Sequence, residues 1–259
     1  MNDTLSKINE IASGEQAAPR IDERKIIITR VVFIFPIVLS LGFLLLKVAW
    51  NNVYVSITQE DAIVENIQFL AYLSSSLLAL FAGIRYLRKG YSMAGFALLL
   101  WAGLLLFVSL EEISWGQRIF GISTFEWFSR HNVQKELTVH NLKGIQQLFP
   151  ALYILAGLLL SFGWIPARHL SSCSFLRADV KAAILLLTPK WYLMPFFLPT
   201  VFINTYFCMS WLTVNLFGWD KFKIGNFVMW GDQEPTELLL SLGCLMVVII
   251  VIIKQKAAH

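Results

Sequence analysis

The chain has 259 residues, of which 57% are hydrophobic types and 15% charged, with a mean hydropathy of +0.64. An ordinary soluble domain carries about 25% charged residues. The composition therefore excludes a disordered tail protein, a basic nucleic-acid-binding module and a typical soluble enzyme. Net charge is +4, but in a membrane protein the position of the charges matters more than their sum.

Residues 1–30 are polar and read as a cytosolic tail. Crossing ~30 Å of hydrocarbon takes about 20 apolar residues in a helix. Six stretches approach that length: Val31–Trp50, Ile63–Ile84, Ser92–Leu110, Leu148–Trp164, Tyr192–Leu212 and Pro235–Ile253. The expected fold is an all-α integral membrane bundle, one six-span domain over residues 31–254, with a cytosolic tail at 255–259. Ala182–Leu187 is too short to cross and reads as a surface segment leading into the fifth span. Pro195 and Pro199 are expected to break that span.

Lysine and arginine bias sets orientation. Fourteen fall in the N-terminal tail, the second-to-third and fourth-to-fifth connections and the C-terminal tail, against six in the other connections. Both termini are therefore expected in the cytosol. Lys47, near the outer end of span one, is expected to snorkel. Eleven of the 17 acidic residues fall on the opposite, outer side, an excess that orientation does not require. Eight of nine tryptophans sit at or near span ends, as interfacial belts require. Cys173, Cys208 and Cys244 have no metal-finger spacing, and no disulfide is expected.

The outer acids fall in three clusters. Asp61, Glu65 and Gln68 share a helical face at the start of span two, where a first-turn acid suits the helix dipole. Asp232, Glu234 and Glu237 open span six, with Pro235 at the first helical position. Glu111 and Glu112 differ, because they close span three at the wrong end of the dipole. The helix could continue through Arg118, putting Glu111, Ser114 or Trp115, and Arg118 on one stripe. Either a Glu111–Arg118 clamp or a site carboxylate accounts for the pair. Ser123 and Glu126 have capping-box spacing ahead of a short interfacial helix near 123–130. Asn132, Gln134 and Glu136 lead to His140-Asn141, just before span four.

The stretch Glu111–Arg118, read with Asn132, Gln134, Glu136, His140 and Asn141, resembles a group of uncharacterised bacterial multi-spanning membrane proteins with an EEISWGQR…N-Q-E…HN pattern. The likeness runs from about residue 60 onward, with Glu65 and Glu237 matching acids that open an early and the last span. It implies a bacterial inner membrane and a periplasm-facing site, and names no reaction. Glu111, Glu112, Arg118, His140 and Asn141 are also partly similar to the intramembrane CAAX-type proteases. The gap to Arg118 is two residues longer than in that family, and the second downstream histidine motif is absent, so membership is not assigned.

The expected function is a hydrolase or transferase acting on a lipid or lipid-linked substrate at the outer face, with the bilayer as partner and no nucleic acid. Glu111, Glu112, His140 and Asn141 are the expected catalytic set. Trp115, Gln117, Arg118 and Gln134 are expected to bind substrate. Glu65, Glu112, His140 and Glu237 could hold a divalent metal such as Zn²⁺, Mn²⁺ or Ca²⁺. Two alternatives stay open. One is a non-catalytic scaffold or accessory subunit. The other is a small transporter with an acidic vestibule, using Ser74–Ser76, Thr200 and Asn204.

Overall fold

The structure is a computed structural model that describes residues 23–59, 61–217 and 230–257. Most of the N-terminal tail, Glu60, Trp219, Asp220, Lys221 and Lys223 lie outside the described residues. The described chain is helical: α1 Glu23–Ala49, α2 Asn51–Thr58, α3 Ile63–Arg88, α4 Ser92–Glu112, α5 Gln117–Phe120, α6 Glu126–His131, α7 Phe149–Phe162, α8 Trp164–Ser172, α9 Ala178–Leu187, α10 Met194–Phe217 and α11 Gln233–Ala257. Five helical segments are long and apolar enough to cross a membrane, or six if the bent pair α7–α8 is one span.

Three departures from the sequence reading have local causes. The fourth span bends by 58° between α7 and α8. A Cβ at Gly163 would lie 2.3 Å from the Leu159 carbonyl oxygen, so only glycine accepts this bend. The segment read as a surface piece is the helix α9, which buries Ala182, Ala183 and Leu186 against α4 and α11. Two alanines allow that close approach, and the Thr188-Pro189 turn then leads the chain into α10. Finally, α10 runs unbroken through Pro199. Pro195 falls in its first turn, where no N–H is required.

The core sits where α3, α4, α10 and α11 meet, around Tyr72, Ala102, Phe197, Leu239 and Val248. Small residues let α3 and α4 pack as a tight hairpin, as membrane helices do without a hydrophobic drive between them. A Cβ on Gly95 would come within 2.6 Å of the Leu87 side chain. Ser76 and Ser109 stitch the pair by donating to the carbonyls of Ala102 and Phe69 at 2.8 and 3.2 Å. Half of the apolar stretch of α11 is buried but only 6% of that of α1, so α11 is central and α1 lies at the rim.

Lys47 does not snorkel. Its Nζ donates to both carboxylate oxygens of Asp232 at 2.5 and 2.6 Å, and the Tyr54 hydroxyl donates to Asp232 Oδ1 at 2.6 Å. Burial, then the Asp232 bond, pushes the Tyr54 phenol above its ordinary range, so it stays a donor. Pro235 is the third residue of α11 rather than the first. Asp232, one residue ahead of α11, binds Lys47 at the end of the first span.

The Lys47 and Asp232 side chains are 8% and 11% exposed, whereas the Arg177–Asp179 pair is 79% and 31% exposed. Removing one partner of a buried pair strands the other charge, at a cost of about 3–5 kcal/mol. An exposed pair contributes within about 1 kcal/mol. Asp232→Ala should therefore lower the midpoint of thermal unfolding in detergent markedly, and Asp179→Ala should leave it nearly unchanged. Equal midpoints for the two variants would refute this ranking.

Candidate functional site

The helix expected to run on through Arg118 stops at Glu112. Ser114, Trp115 and Gly116 follow with φ of 49°, 55° and 76°. Two non-glycine residues in the left-handed region carry backbone strain. The break turns the Trp115 indole back on its own helix, where Nε1 donates to Glu111 Oε1 at 2.6 Å.

Glu111 Oε2 receives three further donors. The backbone N–H groups of Val139 and His140 reach it at 2.8 and 2.9 Å, and His140 Nδ1 at 2.9 Å. The carboxylate is 7% exposed and the imidazole 36%. Because the partner is a carboxylate, Nδ1 carries the proton, which leaves Nε2 of the neutral ring as an acceptor. The ring meets Phe149 edge-on at 5.8 Å, and Phe149 packs on Tyr153 at 6.1 Å.

The other residues of the loop signature bond to one another. Asn132 Nδ2 donates to the Thr138 carbonyl at 2.7 Å, while its Oδ1 accepts from the N–H of Gln134 at 2.9 Å. Asn141 donates to Gln134 Oε1. Gln117 accepts from Leu137 N–H at 2.8 Å and donates to Thr124 at 2.5 Å. Ser114 donates to Glu136 at 2.7 Å. Asn141, Gln117, Gln134 and Trp115, expected to act on substrate, are thus also the bonds that order residues 113–142. The Arg118 side chain lies outside the described residues, as does any clamp between it and Glu111. The capping box fails too: Phe125 caps α6 without a side-chain bond, and Glu126 pairs with Arg130.

Glu112 faces elsewhere, since consecutive helical residues are about 100° apart. With Asp61, Glu65, Asn66, Ile113 and Ile119 it lines an open cavity of about 260 Å³. Its carboxyl interacts electrostatically with those of Glu237, Glu234 and Glu65. The ends of α3, α4 and α11 thereby bring their acids together. Glu65 also takes the N–H of Asp61, which has a φ of 64°, and so closes the start of α3. The Tyr153 side chain lies beside Glu237. Gln68 is fully buried and donates to the Glu234 carbonyl and carboxylate at 2.9 and 3.0 Å.

The quartet expected to bind metal is divided. His140 is held by Glu111, whereas Glu65, Glu112 and Glu237 belong to the acid cluster. Among the described residues, no group of three or more His, Cys, Asp or Glu side chains is placed to hold a metal ion. The polar residues that a transport path would use are occupied between helices. Thr200 donates to the Thr236 carbonyl at 3.0 Å, and Asn204 accepts from Gln233 at 3.1 Å. Tyr153 and the Phe149 ring were missed as site residues, because aromatic residues inside an apolar run carry no distinguishing signal.

Compared with protein-family models, with curated proteins and with solved structures, the chain matches none. The described elements are all helical, and five of them, or six counting the bent pair as one span, are long and apolar enough to cross a membrane. This suggests a multi-pass membrane protein, and no family is assigned.

Hydrogen bonds to a charged group contribute about 1.5–3 kcal/mol each, so Glu111 should govern the order of its loop. Glu111→Ala is expected to strip amide protection from Val139 and His140 in hydrogen–deuterium exchange. Glu112→Gln should leave both amides protected. Unchanged protection in Glu111→Ala would show that the carboxylate does not hold the loop.

Proposed function

We propose that the protein is a membrane-embedded acid–base enzyme, a hydrolase or transferase acting on a lipid or lipid-linked substrate. The observation that carries this reading is the 2.9 Å bond from His140 Nδ1 to the buried Glu111 carboxylate, beside a half-exposed ring. A carboxylate on Nδ1 fixes the tautomer and orientation that free Nε2 to accept a proton, the arrangement general bases use. Glu112, one residue on, has no ion pair among the described residues and lines the 260 Å³ cavity. It is the carboxyl best placed to deliver a proton to a leaving group.

In this reading the attacking oxygen of water or an acceptor hydroxyl gives its proton to His140 Nε2 and bonds the substrate's acyl or phosphoryl centre. The leaving oxygen takes a proton from Glu112, and the site resets when His140 gives its proton to water and Glu112 regains one from water. Asp61 and Glu65 line the acidic pocket, and Ile113 and Ile119 offer an apolar wall to a lipid chain. In the bacterial inner membrane that the sequence resemblance implies, the excess of Lys and Arg at the opposite end supports a site on the periplasmic face.

The same loop network favours one other reading, a scaffold whose polar mouth is purely architectural. Reconstituted protein supplied with polar lipid extract and lipid-linked substrates, with products followed by mass spectrometry, separates the two. His140→Gln and Glu112→Gln should each lower turnover by about 10²–10⁴-fold while the protein stays monodisperse. Turnover that survives in the His140→Gln, Glu112→Gln double variant would eliminate these residues as the acid–base pair. No turnover in wild type, together with unfolding on Glu111→Ala, would establish the scaffold.

A further inference from the structure

Between the end of α4 and the loop that begins at Asn132, the chain turns large apolar side chains outward. Ile119, Phe120, Ile122, Phe125 and Trp127 are each between 42% and 75% exposed, and α6 buries none of its residues. The segment is nonetheless closed. Ile122 N–H donates to the Gln117 carbonyl at 2.9 Å across a turn in which Gly121 has a φ of 62°. Thr124 accepts from Gln117 and donates to the Lys135 carbonyl at 2.7 Å. Residues 117–127 therefore form a hairpin, with polar bonds made to the loop around Lys135 and large apolar side chains on the outside.

Single exposed apolar residues need no explanation, but a contiguous exposed group in a loop does. Where the hairpin leaves the bundle decides what covers it. Phe96, Leu100, Leu104 and Phe107 are exposed along one side of α4, the side that this span would turn to hydrocarbon. Phe107 meets Trp115 edge-on at 5.7 Å. The Phe120 ring lies so close to the next residue, Gly116, that a Cβ there would come within 2.9 Å of it. The apolar surface of α4 thus continues through Trp115 into the hairpin. A polar edge accompanies it. Glu126 and Arg130 pair with each other, and Trp127 stacks on His131 at 4.7 Å. Tryptophan, with an apolar body and a polar tip, collects at the membrane–water boundary.

We infer that residues 119–127 are seated in the bilayer, as an interfacial hairpin in the leaflet at the His140 end, with lipid acyl chains covering Ile119, Phe120, Ile122 and Phe125. Ile119 also lines the cavity that holds Glu112. One wall of that cavity is then a membrane-seated element, and the cavity opens where lipid headgroups meet their chains rather than in open water. Such an opening favours amphiphiles over water-soluble compounds as occupants. The seating does not rest on the acid–base reading, and its test needs no substrate.

The test uses the full chain in phosphatidylcholine bilayers, with Cys173→Ala, Cys208→Ala and Cys244→Ala as background and one nitroxide label at a time. Phe120→Cys and Phe125→Cys carry the test labels. Leu100→Cys is the hydrocarbon reference and Lys143→Cys the reference in the loop. Collisions with oxygen and with a water-soluble nickel chelate give the depth of each label. Labels at 120 and 125 should lie about 5–10 Å into the headgroup–acyl boundary and favour oxygen, as at Leu100, while the label at Lys143 favours the chelate. Chelate access at either test position equal to that at Lys143 would overturn the inference. Shielding of both test labels from both collision partners would also overturn it, and would point to a protein partner. Should the alanine background not fold, hydroxyl-radical oxidation of the wild-type protein in nanodiscs decides. After allowance for intrinsic reactivity, Phe120 and Phe125 should oxidise no faster than Leu100, and rates matching that of His131 would overturn the seating.

Discussion

The polar mouth of this bundle depends on one carboxylate. Residues 113–145 form only short helices and turns, and the N–H groups these leave over must find acceptors among side chains or stay unsatisfied at real cost. Glu111 takes four donors on its two oxygens, among them the backbone N–H groups of Val139 and His140. A carboxylate at a helix C-terminus opposes the dipole by about 0.3–1 kcal/mol. Bonds to a charged acceptor outweigh that by several-fold even after allowance for non-additivity. The placement that looks unfavourable within one helix is therefore favourable once the loop is included.

The same logic runs through the other polar groups near the helix ends. Asp232 joins the start of α11 to α1 and α2 through Lys47 and Tyr54. Gln68 joins α3 to α11, and Thr200 and Asn204 join α10 to α11. Each side chain satisfies a neighbour's backbone or charge where lipid offers no partner. Such stitches explain why polar residues inside the apolar runs do not by themselves mark a transport path.

The spans were legible because hydropathy over 20 residues outweighs any local preference. What escaped was set by partners distant in sequence. Ala182, Ala183 and Leu186 look like a short exposed run until α4 and α11 are brought against them. The bend at Gly163 depends on the position of the Leu159 carbonyl. At the mouth, the sequence drew attention to Glu111 and His140, which do meet, and to Glu65, Glu112 and Glu237, which share a second cluster. It could not say that the two groups were separate. Nor did it reveal the left-handed residues Ser114 and Trp115, since neither is a type that favours that region. Asn141, Gln117 and Gln134 carried a polar pattern that hydrogen bonding inside a loop and substrate recognition write in the same letters.

Adjacency of the two glutamates resolves into a division of labour. Consecutive helical residues diverge by about 100°, and here Glu111 turns to the loop while Glu112 turns to the cavity. What they can do is work on two sides of one rigid turn. Glu111 fastens the loop that carries His140, and Glu112 presents a carboxyl to the cavity formed with the start of α3. Because both leave the same helical turn, the position of the imidazole and that of the cavity carboxyl are set by a single element. The acid–base reading proposed above calls for such a fixed spacing between the imidazole and the cavity carboxyl.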